Sequence, residues 1–184
     1  MTDFIDAEGF RANVGIVLIR DDRQVFLGGR TGGRGWQFPQ GGVRRDESPD
    51  DALFRELKEE IGLEPADVEV VAFTRNWLRY RLPRQYVRRH SNPLCIGQKQ
   101  RWYMLRFVGT ESRLHFDATN EPEFETPVRE GIYFKRAVYA RALDELARRA
   151  FPNDPPALPE WSDQEKNLRN LVRRHAEMKA NDHG

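Results

Sequence analysis

The most informative segment of the sequence is a predicted helix on which an apolar stripe lies next to an acidic one. Ser48 is placed as the N-cap, Pro49 at the first helical position and Asp51 for a capping box, while Gly62 supplies the stop. The apolar stripe consists of Leu53, Leu57 and Ile61, and the acidic stripe of Glu56, Glu59 and Glu60. The sequence therefore predicts an amphipathic helix whose carboxylates border its buried face.

These three carboxylates stand at positions i, i+3 and i+4, where each like-charged pair costs a few tenths of a kcal/mol in an isolated helix. Because they border the buried stripe, they would also lose water unless a cation joined them. A hard divalent ion with oxygen ligands meets both needs, and Mg²⁺ is the usual choice when phosphates are bound as well. The alternative is a solvated acidic face on which Arg55 and Lys58 bridge some of the charge.

Charge is segregated along the sequence. From Asp46 to Glu69 the chain has ten acidic residues and two basic ones, whereas residues 70–110 contain nine Lys and Arg and no Asp or Glu. A cation-attracting segment is thus followed by an anion-attracting one, although the whole chain has a net charge of +1. Arginines and aromatic residues are interleaved in the second segment, which favours contact with anions such as phosphates. The alternative is an ordinary basic loop with aromatic core anchors.

Composition excludes several classes of protein. A length of 184 residues with 39% hydrophobic residues fits one compact domain with a core. Cys95 is the single cysteine, which excludes an internal disulfide framework and suits a reducing compartment. The four histidines have no metal-ligand spacing, so we expect no zinc site. No apolar run approaches the roughly 20 residues that a membrane span needs. We expect a cytoplasmic protein with no membrane contact.

Periodicity and turn residues outside the acidic helix predict alternating strands and helices. A hairpin is expected from 13–20 and 24–27, a glycine-rich loop at 31–35, strands at 68–74 and 102–108, and a second helix at about 136–150. Four prolines in 151–159 then interrupt the chain, and a basic helix opened by a capping box of Ser162 and Glu165 follows. We therefore expect one domain over 1–150, with a Pro-rich linker and basic helix over 151–184.

The spacing around the acidic helix resembles the Nudix box of the Nudix hydrolases. Gly41, five residues, Glu47 and seven residues precede the run Arg55-Glu56-Leu57-Lys58-Glu59-Glu60-Ile61-Gly62-Leu63. The flanks are similar to the bacterial RNA pyrophosphohydrolase branch of that family, in GFRANVGIV (9–17), WQFPQGG (36–42), TRNWLRYRLP (74–83), CIGQKQRW (95–102) and EPEF (121–124). The resemblance implies an α/β/α sandwich with a mixed β-sheet.

The same resemblance implies an activity. It is the divalent-metal-dependent removal of pyrophosphate or phosphate from tri- or diphosphorylated RNA 5′ ends, which leaves a 5′ monophosphate and promotes RNA decay. Mg²⁺ is the expected metal, with Mn²⁺ as a substitute, and RNA is the expected partner; whether a protein partner activates the enzyme stays open. The alternatives are a dinucleoside polyphosphate (Ap4A-type) hydrolase and an RNA-binding module whose catalysis is impaired.

Site residues follow from the resemblance, position by position. The implied metal ligands are Glu56, Glu59, Glu60 and Glu123. Arg55 completes the catalytic set by orienting carboxylates, and Glu59 is the expected base. The implied substrate-binding residues are Arg11, Arg30, Gln37, Gly41, Tyr80, Gln98, Lys99, Phe134 and Lys135. Of these, Arg30 and Phe134 are expected to stack on a base and Lys135 to contact phosphate.

One departure from the family pattern follows the EPEF segment. The chain passes from Glu125 directly to Thr126-Pro127, where family members continue with a further strand. About 5 to 6 residues, the usual length of a strand, are missing here. The sequence therefore predicts a sheet that lacks one strand after Phe124.

Overall fold

The first strands of the chain divide between two sheets. The computed structural model describes residues 4–29, 36–87, 92–110, 113–114, 123–124 and 135–156. The elements in chain order are β1 (Phe10–Ile19), β2 (Phe26–Gly29), β3 (Trp36–Gln37), β4 (Gln40–Gly42), α1 (Pro49–Ile61), β5 (Val68–Phe73), β6 (Leu78–Arg81), β7 (Gly97–Phe107), β8 (Glu123–Phe124) and α2 (Arg136–Ala150). Short 3₁₀ turns lie at Pro65–Asp67 and Arg84–Tyr86.

The main sheet is mixed, as expected. Its order is β4-β1-β7-β5, and β6 also pairs with β7. β1 and β7 run parallel, whereas β4, β5 and β6 are antiparallel to their partners. The second, three-stranded sheet has the order β3-β2-β8. The expected strand at 102–108 is longer than predicted, because β7 begins at Gly97, and β6 was not predicted at all.

The predicted N-terminal hairpin is reduced to a single antiparallel bridge between Ile19 and Val25. β2 leaves β1 after this bridge and pairs with β3 and β8 in the second sheet. β7 pairs with the whole of β1 along one edge, and β4 pairs with residues 13–15 on the other edge. Only the last part of β1 is therefore open to β2, and β2 forms its ladders with β3 and β8 instead.

The core lies on both faces of the main sheet. Val14, Ile16 and Leu18 of β1 pack under α1 with Leu53 and Leu57. The alternate β1 residues Val17 and Ile19 pack under α2 with Val138, Tyr139 and Leu146. Helices cover both faces of the sheet at β1, which explains why the sequence of this strand is a nearly continuous apolar run. The layers are thus helix, sheet and helix, the α/β/α sandwich that the resemblance implied.

Several sequence expectations lie outside the described residues. They are the loop at 31–35, the strand that is missing after Phe124, the last residues of the Pro-rich segment (157–159) and the basic helix beyond it. The first residues after α2 are described: Arg23 of the β1–β2 turn lies over the Phe151 ring at 4.9 Å and pairs with Asp154 at 2.9 Å. Among the described helices, none is both long and apolar enough to cross a membrane.

Candidate active site

The acidic helix is fixed at both ends by local chemistry and by one contact to the sheet. Ser48 Oγ accepts a hydrogen bond from the Asp51 N–H (3.1 Å), and Asp51 Oδ2 accepts one from the Ser48 N–H (3.4 Å), so the predicted capping box is confirmed. Gly62 ends the helix with φ of 77°. Tyr103 of β7 donates to Asp50 Oδ1 at 2.6 Å. These contacts set the position of the carboxylates on α1.

Glu56 is the buried carboxylate of the three, with 9% of its surface exposed. It lies directly against the backbone of Gly41 in β4, where a Cβ atom would be 1.7 Å from the Glu56 Cδ. Gly41 was expected to bind substrate; the structure places it as the residue that leaves room for this carboxyl group. Burial raises the pKa of Glu56, and repulsion from Glu59 and Glu47 adds to the effect against the opposing influence of Arg55.

Arg55 hydrogen-bonds to the three carboxylates of Glu47, Glu56 and Glu59. Its Nε and Nη2 donate to the two carboxylate oxygens of Glu47 at 2.7 and 2.8 Å, and Nη2 also donates to the Gly42 carbonyl at 2.7 Å. Its Nη1 donates to Glu56 and, at 2.9 Å, to Glu59. The hydrogen bonds from Arg55 lower the pKa of Glu47 against the effect of burial. Arg55 therefore hydrogen-bonds to three carboxylates, and its role in orienting them for catalysis stays a prediction.

Glu60 faces β4 from the last turn of α1. Its Oε2 accepts a hydrogen bond from the Gln40 N–H at 2.9 Å. The residue as a whole is exposed, but its carboxyl group is crowded by protein, and this burial raises its pKa to about 7. The Gln40 bond and the nearby Lys135 oppose the shift, whereas Glu56 repulsion strengthens it. A charge that burial and repulsion disfavour in this way is one that a cation would stabilise.

The donor set suits a hard divalent ion, because Glu56, Glu59 and Glu60 offer carboxylate oxygens. In the described part of the chain, no three acidic, His or Cys side chains already converge as a complete ligand set. Arg55 and Arg44 hold Glu59, and Gln40 holds Glu60. For the predicted fourth ligand, Glu123, only the backbone is described, paired with Leu27 in the second sheet.

A band of polar side chains crosses the sheet on the α2 face. The structure brings together three predicted substrate residues, because Arg11 of β1 and Tyr80 of β6 both pair in register with Gln98 of β7. The Tyr80 hydroxyl also donates to Gln98 Oε1. Lys135, buried at the N-cap of α2, is close enough to Glu60 to influence its pKa. These four residues therefore share the side of the sheet that α2 covers.

Sequence reasoning missed three members of this band. Asn13 is 3% exposed and pairs in register with Gln100, which is fully buried. Gln100 Nε2 donates to Gln40 Oε1 at 2.9 Å, so the Gln40 side chain joins the band while its N–H holds Glu60. The alternation of Gln98, Gln100 and buried Trp102 was a usable signal for one face of a strand. The β4 register that adds Gln40 was not visible in the sequence.

Lys99, by contrast, lies on the opposite face from its neighbour Gln98. Its Nζ is 2.9 Å from Asp6 Oδ2 and lies over the rings of Phe4 and Trp77, at 5.3 and 5.4 Å from their centroids. Successive residues of a strand point to opposite faces, so the two predicted residues cannot line one surface. The structure therefore does not bring Lys99 to the polar band.

The remaining predicted residues are placed only in part. Gln37 lies in β3 of the second sheet, paired with Gly28. Arg30 and Phe134 lie outside the described residues.

Comparison with known proteins assigns the fold and its acidic helix to one family. A model of the NUDIX domain matches residues 9–154, which include both the helix and the polar band. The chain belongs to the Nudix family. As a class, Nudix hydrolases depend on divalent metal ions, which agrees with the oxygen donors on α1.

Two relatives match most of the chain, and one solved structure shares its fold. The chain is 54% identical to the RNA pyrophosphohydrolase of Thioalkalivibrio sulfidiphilus over 160 residues, 83% of this chain and 92% of the relative. It is 52% identical to that of Alkalilimnicola ehrlichii over 84% and 90% of the two chains. The E. coli dihydroneopterin triphosphate pyrophosphohydrolase structure shares the fold, with a TM-score of 0.53 at 17% identity over 62% of this chain and 79% of that one.

Proposed function

We propose that this Nudix protein is an RNA 5′ pyrophosphohydrolase that removes pyrophosphate or phosphate from tri- or diphosphorylated RNA, leaves a 5′ monophosphate and so promotes decay in the cytoplasm. The single observation that carries the proposal is the meeting, at β4, of the carboxylates of α1 with the polar band. Gly41 of this strand lies against Glu56, and the adjacent Gln40 contacts both Glu60 and Gln100. The relatives named RNA pyrophosphohydrolase support the choice of substrate.

Glu56, Glu59 and Glu60 would hold Mg²⁺ through carboxylate oxygens, with Glu123 as a fourth ligand, and Mn²⁺ is a chemically similar substitute. The bound cations would neutralise phosphate oxygens, lower the pKa of a bound water and stabilise the leaving phosphate. Support for this donor set comes from the raised pKa values of Glu56 and Glu60, because burial there outweighs the opposing influence of Arg55 on Glu56 and of Gln40 and Lys135 on Glu60.

The residues of the chain then have separate tasks. A water oxygen attacks a phosphorus of the 5′ chain, the bond to the leaving phosphate oxygen breaks, and Glu59 accepts the proton of the water. Glu59 suits this role because half of its side chain is exposed, so water and substrate reach it. Arg55 keeps Glu56 and Glu59 in place, since it is anchored in turn by Glu47 and the Gly42 carbonyl.

Substrate binding is assigned to the polar band and the start of α2. Arg11 and Lys135 supply positive charge for the 5′ phosphates, and Tyr80 and Gln98 supply hydrogen-bonding groups. Arg30 and Phe134 complete the proposed site as a stacking pair for a base. The basic composition of residues 70–110 favours an RNA strand over a small dinucleoside polyphosphate, which has fewer phosphates to neutralise.

The test is hydrolysis of 5′-triphosphorylated RNA by the purified protein in Mg²⁺. We expect 5′-monophosphate RNA from the wild type and a loss of at least about 10²-fold in kcat for Glu59→Gln, with RNA affinity largely kept. Glu69→Gln is the matched control, because Glu69 is an exposed carboxylate on β5 paired with Arg106.

Two results would contradict the proposal. If the wild type leaves triphosphorylated RNA intact, the protein is not this enzyme. If it hydrolyses diadenosine tetraphosphate with a higher kcat/KM than RNA, the dinucleoside polyphosphate hydrolase takes its place. Glu59→Gln with wild-type activity would contradict the assignment of the base alone.

A further inference from the structure

Glu59, the proposed base, is held by two arginines of very different character. Its Oε2 accepts from Arg55 at 2.9 Å, and its Oε1 lies 3.4 Å from Nη2 of Arg44. Arg55 is 16% exposed and bound to three further groups, so it stays in place. Arg44 lies in the connection between β4 and α1, its side chain is 38% exposed, and Glu59 is its one ion-pair partner within the described residues.

The Arg44 contact is one that can be exchanged at small cost. Both partners are exposed, with 38% and 50% of their side chains accessible, and the distance of 3.4 Å is long for a charged hydrogen bond. Exposed pairs of this kind contribute little to stability, because water solvates both charges when the pair opens. The backbone of Arg44 is held independently, since its N–H donates to Glu47 Oε2 at 3.0 Å and its carbonyl accepts from the Glu47 N–H at 3.3 Å.

We propose that Arg44 is a displaceable counter-ion of Glu59 that releases this carboxylate when a divalent cation binds and then contacts the 5′ phosphates of the substrate. The inference rests on the proposed function, in which Glu59 lies beside both the cation and the phosphates. A cation at Glu59 competes for the oxygen that Arg44 occupies and repels the guanidinium, while the phosphates next to it attract that same group.

Two affinities should therefore move in opposite directions when the Arg44 charge is removed. For Arg44→Ala we expect Mn²⁺ to bind about threefold more tightly in the absence of RNA, because the competing charge is gone. We expect the KM for 5′-triphosphorylated RNA in Mg²⁺ to rise about fivefold with kcat changed less than about twofold, because a phosphate contact is lost. A purely structural role for Arg44 would not raise the affinity for the metal.

Arg45→Ala is the matched control. Arg45 is the exposed neighbour in the same connection, and it has no ion-pair partner among the residues that the structure describes. Its replacement removes the same charge one residue away, so both the Mn²⁺ affinity and the KM should stay near wild type. Arg44→Lys is the second variant: it keeps a charge near Glu59, and we expect it to restore the wild-type Mn²⁺ affinity and most of the KM.

The measurements are calorimetric titration with Mn²⁺ and steady-state kinetics on triphosphorylated RNA, with thermal melting as a check on folding. Unchanged or weaker Mn²⁺ binding by Arg44→Ala would overturn the counter-ion role, and an unchanged KM would overturn the phosphate contact. If Arg44→Ala and Arg45→Ala have equal effects, the change in net charge explains them, and both the counter-ion role and the phosphate contact of Arg44 are overturned. If the wild type neither binds Mn²⁺ nor hydrolyses RNA, the proposed function itself is contradicted, and this inference, which rests on it, is contradicted too.

Discussion

At the scale of single residues, the absence of a side chain at Gly41 decides where Glu56, a proposed metal ligand, lies. The Glu56 carboxyl occupies the space that a Cβ on Gly41 would need, so β4 and α1 approach at this point more closely than any other residue would permit. Glu56 is buried there and bonded to Arg55, which limits how far it can turn away. The glycine is needed for its size, since Gly41 is not among the residues with positive φ.

Gly41→Ala should therefore damage activity more than stability. The Cβ displaces the end of a side chain rather than backbone, so the fold can accommodate it, but Glu56 moves by about 1 Å or more from its place. We expect a loss of about 10²-fold in kcat/KM on triphosphorylated RNA. Gly28→Ala is the control, because its Cβ would meet no atom closer than 3.8 Å. Equal activity of the two variants would show that Glu56 has more freedom than the packing indicates.

The ion pair between Asp6 and Lys99 is a second single-residue contact with a testable effect, in this case on the pH dependence of stability. Burial acts to raise the pKa of Asp6, but hydrogen bonds from the Phe10 N–H, Lys99 and the Glu8 N–H, with the charge of Lys99, together hold it below 3.8, the ordinary value for an aspartate. A carboxylate whose pKa is lower in the folded state stabilises the fold above its unfolded pKa. That stabilisation disappears as the pH falls below about 3.8 and through the folded value.

Asp6→Asn should thus lower the free energy of unfolding by a constant amount between about pH 5 and 7, and the difference from wild type should shrink as the pH falls below about 4. Urea denaturation across this range measures it. Glu8→Gln is the control, since Glu8 and its partner Arg79 are both exposed and contribute little. A difference that stays constant down to pH 3 would contradict the assignment.

At the scale of elements, the ends and the buried face of α1 are both predicted from the sequence of the helix itself. Ser48, Asp51 and Gly62 set its ends, and the apolar residues at helical spacing become its buried face. The strands are different. The first half of β7 contains mostly polar and charged residues, and β6 alternates between buried and exposed residues over only four positions. Pairing between these two strands defines them, and a pattern based on apolar alternation does not detect that pairing over so short a length.

Ser48→Ala should lower the free energy of unfolding by about 1 kcal/mol, because the Asp51 N–H loses its partner at the start of α1. Activity should change little, since Tyr103 still ties Asp50 to β7. Ser48→Thr, which keeps a hydroxyl that can accept from the Asp51 N–H and donate to the Asp51 carboxylate, is the variant that should restore most of the stability. Denaturant titration measures both, and an unchanged midpoint for Ser48→Ala would mean that tertiary contacts alone hold this turn.

At the scale of the whole molecule, a cation that binds the carboxylates of α1 only in the folded state must stabilise the fold. At ten times its dissociation constant, Mg²⁺ should contribute about 1.4 kcal/mol. For a chain of this size that raises the Tm by about 4 °C. Thermal melting with Mg²⁺, against NaCl at equal ionic strength, measures the shift.

The same Tm shift should be lost in Glu56→Gln and kept in Glu69→Gln, whose exposed carboxylate lies on β5. Because the measurement needs no RNA, it tests the metal site independently of the substrate. An equal shift in both variants would place the cation elsewhere on the protein.

Features that depend on neighbours along the chain can be predicted from the amino-acid sequence alone: the capped acidic helix, the segregation of charge and the family to which the chain belongs. The folded structure is needed to show which of the predicted residues share a surface. Gln98 and Lys99 separate to opposite faces of β7, Gln40 joins Gln100 from a distant strand, and Arg44 meets Glu59 across the connection to α1. Helix ends and stripes arise from contacts within a few residues, whereas strand register is set by burying both faces of one sheet, which no local pattern encodes.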